Sequence, residues 1–61
     1  EKLGQALSYL MPRDREIVLS YFFLGLTVKK IAQQLRISQA TVTRRRKAAV
    51  AKLRDLLGSI P

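Results

Sequence analysis

Apolar positions recur at helical spacing along almost the whole chain. Leu3, Ala6, Leu7 and Leu10 form one stripe, predicting a short amphipathic helix from Lys2 to Leu10. Met11-Pro12 interrupts it, because proline disfavours helix in the residue before it yet suits the first turn of the next helix. A second helix is predicted from Pro12 or Arg13 to Leu24, with Asp14 and Glu16 near the positive end of its dipole. Ile17, Val18, Tyr21, Phe22 and Leu24 make that helix apolar on most sides, so it is expected at the centre of a bundle, with its aromatics in the core. Gly25 stands where a left-handed stop is needed. Thr27 is the expected N-cap of a third helix carrying Ile31 and Leu35 four apart, with small Ala32 beside them. Leu35-Arg36-Ile37 forms a tight turn with Ile37 pointing inward, although Arg36 occupies a bend where glycine is common. Ser38 caps a fourth helix, expected to reach about Leu57 before Gly58 ends it.

At about 100° per residue, Val42, Ala49, Val50, Leu53, Leu56 and Leu57 gather on one side of the fourth helix. Ala40, Arg44, Lys47 and Ala51 fall on the other, flanked by Thr43 and Arg54. Arg46 projects toward the apolar side and is expected to snorkel or to pair with Asp14 or Glu16. No strand alternation, linker or repeat interrupts the helices. The pattern therefore predicts an all-α fold, a small four-helix (tetrahelical) domain over residues 1–61. Its last two helices have the layout of a helix-turn-helix, in which the second helix enters the major groove and the first braces it.

Composition narrows what such a domain does. A chain of 61 residues has one small core, and with no Cys or His it has neither a disulfide nor the usual zinc site to support it. Stability has to come from apolar packing, for which a 48% hydrophobic content suffices. No apolar run is long enough to span a bilayer. Catalysis has little to stand on, since a nucleophile would need Ser, Thr or Lys activated by a base and no glycine-rich phosphate loop exists. No enzyme activity, metal or cofactor is expected. The chain opens at Glu1 without an initiator Met, which suggests a domain cut from a longer protein.

Charge supplies the sharper signal. The net charge is +8, and between Ile17 and Arg54 there is no acid against Lys29, Lys30, Arg36, Arg44, Arg45, Arg46, Lys47, Lys52 and Arg54. A one-signed surface attracts polyanions, with nucleic acid the commonest. A merely solvated face or an anionic membrane surface would also accept this charge. The periodic spacing, the Ser38 cap and the preceding helix favour duplex DNA. Arg44 and Lys47 are then candidates for the groove, Arg being able to grip guanine through O6 and N7, and Thr43 for a thymine methyl or base edge. Gln39 either reads adenine, contacts phosphate or only supports the cap. Ala40 leaves room for close approach. Lys29, Lys30 and Arg45 are candidates for phosphates, which set register and salt dependence. Thr41, at the side of the wheel, bonds backbone or phosphate.

These residues resemble region 4 of bacterial sigma factors, over roughly Leu3 to Leu57. The resemblance rests on LGQALSYLMPRDREIVLSYFFLGLT, VKKIAQQLRISQATV and KAAVAKLRDLL. LuxR/NarL-type output domains share the Pro-Arg-x-Arg-Glu, Gly-Leu-Thr, Ile-Ala and Thr-Val pieces. The thirteen positions from Pro12 to Gly25 fit the sigma pattern, the LuxR type being usually one shorter. Arg46 stands where many sigma domains have Leu, Lys30 where both families usually have Glu, and Ser20 near a frequent Arg. The resemblance implies recognition of the promoter −35 element, with Gln39, Thr41, Thr43, Arg44 and Arg45 in or near the groove. It also implies docking on the β flap of RNA polymerase and a cytoplasmic, nucleoid-associated setting. A sigma-like module would bind as a monomer within a holoenzyme. A LuxR-like one would dimerise, through Leu56, Leu57 and Ile60, on an inverted repeat. A third alternative is a protein-interaction module binding an acidic polymerase or anti-sigma surface.

Overall fold

The computed structural model describes residues 2–59 and builds them as four α-helices: α1 Lys2–Ser8, α2 Pro12–Val18, α3 Val28–Leu35 and α4 Gln39–Ser59. A π-helical turn over Leu19–Phe23 continues α2. There is no strand among the described residues, and the all-α, four-helix expectation holds. Four helices suit so short a chain because each brings one apolar stripe, and two small clusters absorb all of them.

The first cluster joins Ala6 and Leu10 of the α1 segment to Val18, Ala49 and Leu53, with Leu7 and Leu56 packed against it. The second joins Ile17, Ile31, Ala32 and Val42, flanked by Tyr21, Leu26, Val28, Leu35 and Ile37. Adjacent Ile17 and Val18 thus face different clusters, which puts α2 at the centre as its composition predicts. Helix α4 contributes to both. At 21 residues it is about 32 Å long, close to the 37 Å long dimension of the molecule.

The end of α2 departs from expectation. The helix does not continue as α-helix to Leu24: the Leu24 N–H donates to the Leu19 carbonyl, five residues back, and the Leu26 N–H to Ser20 at 3.0 Å. A π turn is wider and underwound, so it carries Leu24 off the apolar stripe, leaving it 70% exposed. Phe22 and Phe23 are likewise 53% and 60% exposed rather than core. The reason is coverage. Helices α1 and α4 take the Val18 side and α3 and α4 the Ile17 side, and Phe22 and Phe23 belong to neither cluster. Tyr21 alone of the three aromatics packs on the core. Gly25 then reverses the chain at φ +70°, a left-handed conformation open to glycine without steric cost.

Both predicted caps form. Thr27 is extended and its Oγ1 accepts from the Lys30 N–H at 3.1 Å. Ser38 Oγ accepts from the Thr41 N–H at 3.1 Å. Between the caps Arg36 adopts φ 58°, ψ 43°, filling the place of the missing glycine. The Arg36 and Ile37 N–H groups both turn back to the Ala32 carbonyl. These bonds and the half-buried Ile37 offset a left-handed penalty of about 1–2 kcal/mol for a residue with a Cβ. At the other end, Gly58 does not stop α4, which runs through it to Ser59. Glycine weakens a helix without ending it unless it adopts positive φ, and among the described glycines only Gly25 does so.

Candidate nucleic-acid interface

A groove-reading helix needs a start that water cannot fray and a face free of the core. Ser38 secures the start twice over. While its Oγ accepts from the Thr41 N–H, its hydroxyl donates to Thr41 Oγ1 at 2.8 Å. Thr41 is therefore half-buried and committed to the cap, a hydroxyl-to-hydroxyl pairing that neither sequence alternative named.

The free face follows from where α4 is held. Val42 is fully buried and Ala49 and Leu53 nearly so, which turns the opposite side outward. Gln39, Ala40, Arg44, Lys47 and Ala51 are all exposed there or beside it, and Thr43 is half-buried at the edge. Ala40 before the two bases and Ala51 after them keep the surface low enough for close approach. Lys29 and Lys30, in the first turn of α3, are exposed, as is Arg36 in the intervening turn. Sequence reasoning counted Arg36 among the bases of the acid-free stretch but gave it no contact of its own, and its left-handed backbone places a cation between the two helices.

The arginine run divides into three environments. Arg44 is exposed. Arg45 turns toward α2, where Nη1 donates to Asp14 Oδ1 at 3.1 Å; the two side chains are 46% and 22% exposed. Arg46 turns inward and lays its guanidinium over the Tyr21 ring, 4.6 Å from the centroid. The expected acid partner of Arg46 thus belongs to its neighbour. The helical wheel explains the exchange: Arg45 lies on the flank nearest α2, whereas Arg46 lies on the flank carrying Val42 and Val50. Beside the Arg45–Asp14 pair is an open recess of about 560 Å³ lined by Met11, Pro12, Arg13, Glu16 and Arg45.

No group of His, Cys, Asp or Glu that could hold a metal occurs among the described residues, and no described helix is long and apolar enough to cross a membrane. Of the leucines a dimer seam would use, Leu56 packs into the domain's own core and Leu57 is 37% exposed. Ile60 lies outside the described residues.

A capped, outward-facing basic helix, braced through a tight turn by a shorter one, defines this molecule as a helix-turn-helix domain of the DNA-binding type. More narrowly, the chain belongs to the family described as Sigma-70, region 4, which matches residues 6–55. That family consists of DNA-binding rather than enzymatic domains, acting in transcription initiation together with RNA polymerase. No curated protein and no solved structure matches the chain.

Proposed function

We propose that this domain recognises a promoter element of the −35 type in duplex DNA, as a monomeric module of a longer initiation factor. The observation that supports the reading most directly is the exposed face of α4, on which small Ala40 and Ala51 flank Arg44 and Lys47 while Val42, Ala49 and Leu53 hold the opposite side. Arg44 reads a base edge, guanine being the partner its fork fits best, and Lys47 and Thr43 meet neighbouring positions. Gln39 and Ala40 lie where the helix start approaches the groove. Lys29 and Lys30 hold phosphates from the α3 side. Arg45 holds a phosphate on the α2 side in competition with Asp14. Thr41 contributes by fixing the cap.

Family membership supports the polymerase as partner. The β flap is the contact we assign, with the DNA-bound domain placing the enzyme over the promoter. Selection of bound duplexes from a random pool, at a stated salt concentration, tests the reading. A single asymmetric site of about half a dozen base pairs is expected. Enrichment of an inverted repeat would replace it with a dimeric regulator, since symmetric proteins read symmetric sites. Salt-sensitive binding without enrichment would move specificity to a protein partner, such as an acidic anti-sigma or polymerase surface.

A further inference from the structure

Arg46 is the arginine that does not serve the outer face. It stands one turn beyond fully buried Val42 and three residues before Ala49, inside the apolar stripe of α4. Its Nε is buried with no hydrogen-bond partner, and its guanidinium carbon sits 4.6 Å from the Tyr21 ring centroid. Arg46 as a whole is half-buried, and withdrawing even part of a guanidinium from water without a carboxylate is costly. The negative face of an aromatic ring offsets part of that cost. Tyr21 is itself fixed from two directions. It packs on the cluster of Ile17, Ile31, Ala32 and Val42, and the Phe22 ring meets it nearly edge-on at 4.9 Å and 78°. It also lies in the π turn, whose width sets where the ring stands.

A cation over a ring adds a directional contact to the aliphatic packing that holds α4. Rotating a helix about 10–12 Å wide by about 20° moves a side-chain tip by about 2 Å, enough to break a bidentate hydrogen bond. Arg44 and Lys47 lie two residues before Arg46 and one after it, on the same helix. We infer that Arg46 is a positioning residue: through Tyr21 it fixes the rotation of α4 about its own axis, and with it the base edges that Arg44 and Lys47 meet. The inference rests on recognition of DNA by the outer face. It assigns Arg46 no phosphate and no share of the salt dependence.

The test compares selected and random duplexes across a salt series, with circular dichroism to confirm folding. Arg46→Met should weaken the selected site about tenfold, leave random DNA unchanged and keep the salt slope, whereas Lys29→Ala, at a phosphate position, lowers the slope by about one. Tyr21→Leu should reproduce Arg46→Met, and the double variant should be no worse than either alone. Tyr21→Phe and Arg46→Lys, which keep a ring and a cation, should retain selectivity. In the unaltered protein, ring current should shift the Arg46 Cδ protons upfield, an observation independent of whether any variant folds. A lowered salt slope in Arg46→Met, intact selectivity in Tyr21→Leu, or unshifted Arg46 protons would each overturn the assignment. If the unaltered chain selects no sequence, the recognition reading and this inference fail together. If it selects one and Arg46→Met selects it equally well, only the inference fails.

Discussion

Arg45 donates from Nη1 to Asp14 Oδ1 at 3.1 Å, so the middle arginine of the run on α4 already carries a counterion, supplied by the first turn of α2. With Arg45 46% exposed, such a pair stabilises the fold by less than about 1 kcal/mol. Its larger effect is on binding. A cation neutralised by its own protein releases fewer counterions when a phosphate arrives. Asp14→Asn should therefore leave the melting temperature nearly unchanged, tighten DNA binding and steepen the salt slope by up to about one. Titration across a salt series checks this, and weaker binding would show that Asp14 presents Arg45 to DNA instead of withholding it.

Arg44→Ala removes the exposed arginine at the centre of the outer face. The expected loss is about 1–3 kcal/mol on the selected site, with relaxed preference at one base pair. Competition among single-base variants of the site measures both. Unaltered affinity and preference would remove Arg44 from the groove.

Lys29→Ala addresses the flank. A phosphate contact carries no sequence information, so all duplexes should weaken alike and the salt slope should fall by about one. A loss confined to the selected site would contradict the phosphate role.

Ser38→Ala deletes both hydroxyl bonds at the start of α4. An N-cap of this kind contributes about 1 kcal/mol, and for a domain of this size that lowers the melting temperature by about 4–8 °C. Thermal unfolding followed at 222 nm reads the shift directly. An unmoved midpoint would mean that water replaces the cap.

Ile17→Ala opens a cavity where the side chain is fully buried between α2, α3 and α4. The cost of about 2–5 kcal/mol is comparable with the whole stability of a small domain lacking disulfides. The variant should be largely unfolded at 25 °C by circular dichroism. A cooperative transition at the parent temperature would show the site collapsing around the smaller residue.

Local signals were legible because their causes are local. The Thr27 and Ser38 caps, the Gly25 reversal and the Met11-Pro12 break depend on a few neighbouring residues and formed as expected. Helical periodicity likewise assigned Val42, Ala49 and Leu53 to the inside and Ala40, Arg44 and Lys47 to the outside, since 100° per residue leaves little freedom. Gly58 was the local exception, because a glycine stops a helix only by adopting a positive φ.

Tertiary structure decided whatever depends on which helix lies over which face. Phe22, Phe23 and Leu24 read as core because they are apolar, but burial requires a covering neighbour, and the two clusters around Ile17 and Val18 engage α1, α3 and α4 elsewhere. The same holds for charge. Composition shows twelve bases against four acids, and only the placing of α2 beside α4 gives Asp14 to Arg45 and the Tyr21 ring to Arg46. A helical wheel fixes the direction in which a side chain leaves its own helix. What it meets there is set by segments some 25 to 31 residues away in the chain, beyond the reach of any local pattern.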